Sequence, residues 1–393
     1  MIGAADLSAR LEALVPIGRG PRGTTRLAWS DEDAAAGEWF LEQAAGAGLR
    51  AERDPAGNLW AVPDAPPPWW ALGSHLDSVR EGGSFDGALG VAAAFEVAAR
   101  AAASRAASPV AVISFADEEG ARFNTPTFGS RALTGTLDLT VLERRDDRGV
   151  RLADAMRAAG VDPDGLVAAP EWLARLRGFL ELHIDQTTEL ERAGAPAGVV
   201  RGLASRMRLR ANVLGRADHA GTTPPEERRD ALGAAARLIV AALDAAGDGL
   251  VATASRIEVE PNALTTVPAR ARVWLDARAP EAERVEAWRR EVEEADVGLP
   301  VELSVESRSP GCEFDSALRA RLVALSEGLG RPAPELDCYA GHDAGLLAAG
   351  VPAAMVLVRN ETGVSHSPDE RVDLDDAAFG AELLLRLVEE SAP

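Results

Sequence analysis

A histidine and an aspartate two residues apart, His75 and Asp77, stand in the stretch Gly73-Ser74-His75-Leu76-Asp77-Ser78. The apolar run Trp69-Trp70-Ala71-Leu72 precedes them, so they fall at the carboxyl end of an expected buried strand. At a period of two, both side chains point to one face. That spacing can deliver an imidazole and the carboxylate that orients it to one metal ion. Asp86 comes next in the glycine-rich loop Gly82-Gly83-Ser84-Phe85-Asp86-Gly87, just ahead of a helical run over residues 91–103. A carboxylate held there can turn both oxygens toward a site and bridge two cations. Taken alone, the pair is equally compatible with a polar strand end carrying an ordinary histidine.

Three further apolar stretches, residues 109–115, 178–182 and 353–358, read as short strands, and the intervening helical segments predict a parallel sheet covered by helices. Each of these strands leads into residues of the same chemical kind. Asp117-Glu118-Glu119-Gly120 comes after the first, His183 after the second, and a loop leading to His366 after the third. Any one of these is ordinarily a capping acid or a surface histidine. Together they put ligand-type residues at the carboxyl ends of neighbouring strands, where open α/β sheets place their sites. The chain has five histidines, His75, His183, His219, His342 and His366, and three of them occupy these positions.

The elements that must position these residues belong to a chain of 393 residues, long enough for two domains. With 47% hydrophobic and 26% charged residues the composition is globular, and no apolar run reaches a membrane-spanning length. The amino terminus predicts an amphipathic helix with Leu7, Leu11 and Leu14 on one face rather than a signal peptide, so the expected location is cytoplasmic. Two cysteines, Cys312 and Cys338, give neither a disulfide framework nor a thiolate metal site. A net charge of −21 argues against nucleic acid as a partner. Gly18-Arg19-Gly20-Pro21-Arg22-Gly23 matches a dinucleotide-binding pattern, but it neither follows a convincing strand nor opens a helix, and it is set aside. Ser30 with Asp33 resembles a capping box for a helix running to Gly46, and Asp54-Pro55-Ala56-Gly57-Asn58 reads as a turn between strands.

Residues 206–315 are organised differently. Strand 207–214, helix 228–246, strand 253–260, strand 270–279, helix 281–294 and strand 301–307 give the order β-α-β-β-α-β of a ferredoxin-like unit. The expected architecture is therefore α/β with two domains. A discontinuous catalytic domain (1–205 and 316–393) carries helices around a mostly parallel sheet, and an inserted dimerisation or lid domain (206–315) interrupts it.

With these elements in place, the chain resembles the amidase/hydantoinase/carbamoylase group, which includes N-carbamoyl-L-amino-acid hydrolase, allantoate amidohydrolase and beta-ureidopropionase, within a wider set of dinuclear-metal aminoacylases and exopeptidases. The resemblance rests on Gly23-Thr24-Thr25-Arg26-Leu27, the His75 and Asp86 motifs, Glu118-Glu119-Gly120-Ala121-Arg122-Phe123 and Glu181-Leu182-His183-Ile184-Asp185-Gln186. It continues through Ala217-Asp218-His219-Ala220-Gly221, Pro261-Asn262, Asp276-Ala277-Arg278, Gly341-His342-Asp343-Ala344 and Ser365-His366-Ser367-Pro368-Asp369-Glu370. It implies two divalent metal ions, one held by His75 and His183 and the other by Glu119 and His366, with Asp86 bridging. The ligand types suit zinc, manganese or cobalt. It further implies Glu118 as general base, Asp77 as the group orienting His75, and Gln186, His219, Asn262, Arg278 and His342 as substrate-binding residues. His183 followed by Gln186 resembles the carbamoylase group rather than the related exopeptidases, many of which have aspartate at that ligand position. Homodimerisation through the insert is also implied, with His219 and Asn262 acting in the same subunit or in the partner.

The departures from the family pattern lie on the substrate side: Asp185 and Thr187 around Gln186, Thr265, Ala269, the single tyrosine Tyr339, and Arg359-Asn360. Thr265 and Asn262 are alternative counterparts of the family's substrate asparagine. The leading expectation is a metal-dependent amidohydrolase cleaving a linear carbamoyl or ureido C–N bond of a small acid. The alternatives are an aminoacylase or dipeptidase acting on an N-acyl acid, and a catalytically silent binding protein, against which the intact Glu118 speaks.

Overall fold

The computed structural model describes residues 1–104, 107–247 and 249–391. The four apolar runs of the sequence lie side by side as parallel strands. Trp69–His75 pairs with Val110–Phe115 on one side and with Leu176–Ile184 on the other, and Leu176–Ile184 pairs in turn with Ala353–Val358. Because all four run the same way, their carboxyl ends open on one edge of the sheet. Antiparallel strands flank this centre: Ala197–Leu203 beside Ala353–Val358, and the hairpin Arg50–Arg53 with Leu59–Val62 beside Val110–Phe115. Asp54 closes the hairpin turn by accepting the amides of Ala56 and Asn58.

Helices Ala4–Leu14, Ala88–Ala103 and Leu374–Glu390 pack together against the sheet. Leu7, Leu11 and Leu14 of the first helix are buried as its periodicity predicts, each contributing about 1.5–3 kcal/mol by leaving water. The helix Asp31–Gly46 starts at Ser30, whose side chain accepts the Asp33 amide, while the Asp33 carboxylate reaches back to the amide of Trp29. Residues 18–23 form a short hairpin, Arg19–Gly20 against Gly23–Thr24, consistent with setting aside a dinucleotide loop. Among the described residues no helix is long and apolar enough to cross a membrane.

Contacts divide the chain into two compact units. The first comprises Met1–Arg201, Glu313–Leu336 and Gly341–Pro393, and the second Gly202–Cys312 with Asp337–Ala340. The short segment Asp337–Ala340 joins the second unit through main-chain ties, the Cys338 carbonyl accepting the Ala204 amide and the Tyr339 carbonyl accepting Nη1 of Arg278.

In the second unit the strands lie in the order Val251–Glu260, Arg270–Ala279, Ser205–Leu214, Val301–Ser309, all antiparallel. Helices Ala231–Asp244 and Ala282–Glu294 complete the ferredoxin-like arrangement. The first of them begins three residues later than its sequence periodicity suggests, because Asp230 caps it by accepting the amides of Leu232 and Gly233. Its core centres on Trp288, fully buried, whose Nε1 donates to the Ala242 carbonyl at 2.8 Å. Trp288→Ala is expected to destabilise this unit by about 3–5 kcal/mol. A lowered urea midpoint in far-ultraviolet circular dichroism would register the loss.

Candidate metal centre

Each ligand-type residue is delivered by the element that its sequence position implies. His75 closes its strand fully inside the fold, and its Nδ1 lies 3.0 Å from the Asp77 main-chain carbonyl. His183 closes the neighbouring strand in the same manner, its Nδ1 2.9 Å from the carbonyl of Ile184. With Nδ1 occupied by a main-chain acceptor, Nε2 of each ring is the atom turned toward the site. The helix beginning at Ala88 packs close to these strand ends, because a side chain at Gly90 would meet the Leu182 carbonyl at 2.3 Å. The loop before that helix carries Asp86, and Gly87 turns it in a left-handed conformation, φ +65°, directly beneath the His75 ring.

Asp86 is the centre of the arrangement. Its Oδ1 lies 3.5 Å from Nε2 of His75 and 3.1 Å from Nε2 of His183, while its Oδ2 lies 3.6 Å from Nε2 of His366. Nε2 of His366 is also 3.4 Å from Oε2 of Glu119. Two triads result, His75–Asp86–His183 and Asp86–Glu119–His366. In each, the potential ligand atoms lie within 4.8 Å of one another.

The charges of the site call for cations. Burial opposes ionisation of Asp86, but its contacts with His183 and His75 outweigh it and hold the carboxyl well below the usual range. Burial likewise opposes a charge on His75, yet the hydrogen bond with Asp86 and the charges of Glu118, Asp77 and Asp86 hold it well above the ordinary imidazole value. A field that draws a proton this strongly draws a metal cation for the same reason, and metal binding releases the proton. Oε1 of Glu119 is buried without a hydrogen-bond partner, and a buried polar atom left so costs about 1–3 kcal/mol. Imidazole nitrogens and carboxylate oxygens without thiolate form a donor set suited to zinc, manganese or cobalt. The residues present therefore fit a pair of divalent ions.

Around the triads, carboxylates hold main chain. The Asp77 side chain stands 3.6 Å from the His75 ring and instead accepts the amides of Glu118 and Glu119, each at 3.1 Å. Its carbonyl orients the imidazole; its carboxylate orients the two glutamates. Glu118 is held well above the usual glutamate range, first by burial and then by the negative charges of Asp343, Glu119 and Asp77, which outweigh His75. Glu119 is pushed up to about 8 by burial and by Asp86. Glu370, for which sequence alone suggests no role, accepts the amides of Phe85 and Asp86 on one oxygen and that of His366 on the other. It thus ties the shared aspartate to the exposed histidine. Its only sequence signal is its place four residues beyond His366 in the same motif.

Of the expected substrate residues, Gln186 and His342 lie in the unit that carries the triads. Gln186 Nε2 donates to Oγ of Ser365 at 3.0 Å and lies 3.5 Å from Oδ2 of Asp86. His342 is buried, its ring 4.3 Å from that of His183, and burial together with His183 keeps it well below the usual imidazole value and therefore neutral. The other three belong to the second unit. His219 pairs with Thr266 in a two-residue bridge and is exposed, and the Thr265 carbonyl accepts the amide of Ala220. Asn262 is exposed, in the connection that follows the strand Val251–Glu260. Arg278 is fixed by Nε to Asp276 at 3.0 Å and by Nη1 to the Tyr339 carbonyl at 2.7 Å.

Two of the sequence departures have local structural reasons. Asp185 accepts the amide and hydroxyl of Thr187, closing the turn after His183. Asn360 is fully buried and stitches the His366 loop, accepting from Thr362 and donating to the Val364 carbonyl at 2.9 Å.

The sequence profile of peptidase family M20/M25/M40 matches residues 61–390, a span that contains both triads. The chain belongs to this family. Within it, the chain is 37% identical over 404 residues to an N-carbamoyl-L-amino acid amidohydrolase of Geobacillus stearothermophilus, covering 99% of this chain and 98% of the relative. It is 30% identical over 388 residues to the allantoate amidohydrolase of Escherichia coli, covering 94% and 93%. A crystal structure of a hydantoinase/carbamoylase-family amidase from Burkholderia multivorans superposes with a TM-score of 0.87 at 29% identity, covering 100% of this chain and 98% of that one.

Two substitutions test this geometry. Gly87→Ala is expected to displace the His75 ring, because its Cβ would stand 2.5 Å from that ring, and to lower the metal retained after dialysis, as measured by mass spectrometry of the ions. Glu370→Gln is expected to weaken divalent-metal affinity by about 10–100-fold while leaving the circular dichroism spectrum intact.

Proposed function

We propose that the protein is a metal-dependent amidohydrolase that hydrolyses a linear carbamoyl or ureido C–N bond in an N-carbamoyl-L-amino acid or an allantoate-like acid. The observation that carries the reading is the single carboxylate of Asp86 facing His75 and His183 with one oxygen and His366 with the other. The named relatives support the substrate class. Two divalent ions, held by His75 and His183 and by Glu119 and His366 with Asp86 shared, would polarise the substrate carbonyl and acidify a water molecule.

The protein's own groups do the rest. Glu118, whose Oε2 lies 3.9 Å from Nε2 of His75, borders the ligand cluster and is buried from bulk water. It accepts the proton of the attacking water and returns it to the leaving nitrogen as the C–N bond breaks. With cations in place its otherwise raised proton affinity would fall, which would let Glu118 begin as the base and end as the acid. The carbamate product decomposes, and each turnover consumes one water and releases one ammonia, one carbon dioxide and the amine. Neutral His342 and the amide of Gln186 offer uncharged polar contacts to a urea group. Arg278, with its guanidinium held in place by Asp276 and Tyr339, offers a fork for the carboxylate of the substrate.

The second unit is assigned the role of lid and dimerisation domain. Its edge strand Val251–Glu260 exposes Val251 and Ile257, and its helix Ala231–Asp244 exposes Leu232, Val240 and Leu243. An unpaired edge beside an apolar helix face supports pairing with a second copy. Analytical ultracentrifugation should give twice the chain mass.

Ammonia release from N-carbamoyl-L-amino acids, beta-ureidopropionate and allantoate tests the reaction. Turnover is expected to vanish with a chelator and to return with zinc, manganese or cobalt. Glu118→Gln should keep its metal and lose about 10²–10⁴-fold in kcat. Hydrolysis of N-acyl amino acids or dipeptides without ammonia would replace this reading with that of an aminoacylase or dipeptidase.

A further inference from the structure

Glu181 lies in the middle of the fold, fully buried in the strand Leu176–Ile184, between two parallel neighbours. A strand covered on both faces is ordinarily apolar throughout, as Leu180 and Leu182 on either side are. A carboxyl here is desolvated with no cationic side chain hydrogen-bonded to it, an arrangement that persists only when its oxygens are well used. Both are. Oε1 accepts the Ser74 hydroxyl at 2.7 Å, and Oε2 accepts the Ala344 main-chain amide at 3.0 Å.

These two partners have a common property. Ser74 immediately precedes His75, and Ala344 follows His342 by two residues, at the start of the helix Asp343–Leu347. Glu181 itself stands two residues before His183 and so shares its face of the strand. One carboxylate is therefore tied to chain beside three imidazoles: the Ser74 side chain next to His75, the Ala344 amide two residues after His342, and its own strand leading to His183. The His183 and His342 rings contact each other at 4.3 Å, so a shift of either backbone is passed to the other. Asp343, between His342 and Ala344, is held separately, its carboxylate accepting the hydroxyl of Ser130 at 2.5 Å, which adds a second tie to the same segment.

We propose that Glu181 is a positioning residue that sets His75 and His183 for metal binding and His342 for contact with the substrate, acting through Ser74 and the amide of Ala344. The proposal deepens the amidohydrolase reading and rests on it. In Glu181→Gln the side-chain shape is kept, but the carboxylate charge is lost and the Ser74 hydroxyl must turn from donating to accepting to meet the new NH2 group. In Ser74→Ala only the tie to the His75 strand is lost.

The test measures zinc affinity by competition with a chelating dye, and kcat and KM for ammonia release at saturating zinc. The proteins are the wild type, Glu181→Gln, Ser74→Ala, His342→Asn and the Glu181→Gln/His342→Asn double variant. Glu181→Gln should bind zinc about 10–100-fold more weakly, and Ser74→Ala should be weakened in the same direction by a smaller factor. At saturating zinc, Glu181→Gln should still lower kcat/KM, and the double variant should be no slower than His342→Asn alone, because the two substitutions remove one effect. A purely structural glutamate would give losses that multiply. Wild-type zinc affinity in a folded Glu181→Gln, or multiplying losses in the double variant, would overturn the proposal. If Glu181→Gln does not fold, unchanged zinc affinity in Ser74→Ala overturns it. Wild-type protein that binds zinc but releases no ammonia from any carbamoyl acid would instead overturn the functional reading, and the zinc affinities would still decide the role of Glu181 toward His75 and His183.

Discussion

The contact on which the centre depends is that of the Asp86 carboxylate with three imidazoles. Buried negative charge is tolerated only where charge or hydrogen-bonding groups meet it, and here imidazoles stand at both oxygens. The geometry requires the ends of two adjacent strands, a helix-opening loop and a distant carboxy-terminal loop to converge within a few ångströms. A parallel sheet achieves the first part without further devices, since its strands end on the same edge. Gly90, at the close approach of helix to strand, and Gly87, in its left-handed turn, bring the aspartate to that edge.

Around this contact the protein uses carboxylates as acceptors for main-chain amides. Asp77 holds Glu118 and Glu119, Glu370 holds Asp86 and His366, and Glu181 holds Ala344 together with the Ser74 hydroxyl. Asp77 and Glu370 fix the backbone of candidate site residues rather than their side chains, and Glu181 fixes the residues beside them. Backbone ties of this kind restrict where a ligand atom can stand without occupying that atom. The accumulation of acids in so small a volume also raises the proton affinity of Glu118 and Glu119, which suits a site that is completed by cations.

Much of this could be read from the sequence because it is written locally. The apolar runs at residues 69–72, 110–115 and 178–182 each sit directly before the residues they deliver, and the order of elements in the insert is visible from periodicity alone. Asp54 to Asn58 declared itself a turn by its composition. The braces were not readable. Glu181 is separated from Ser74 by 107 residues and from Ala344 by 163, and nothing in the residues around a lone strand glutamate states what it will meet. The assignment of Asp77 to the His75 ring captured the proximity but not the division of labour between its main chain and side chain. The short strand Ala197–Leu203, and the stretch Pro163–Arg175 with Pro170 inside its 3-10 helix, likewise lack signals that place them without their neighbours. The transfer of Asp337–Ala340 to the second unit depends on contacts that only the folded chain creates.

The tether of Arg278 to residue 339 runs through a main-chain carbonyl. Every amino acid offers that acceptor, so the guanidinium keeps its anchor whatever side chain occupies the position. Tyrosine at 339 can therefore be exchanged in the course of evolution without releasing the arginine. The side chain at 339 and the anchor of Arg278 are thereby separated, so that one changes while the other is kept.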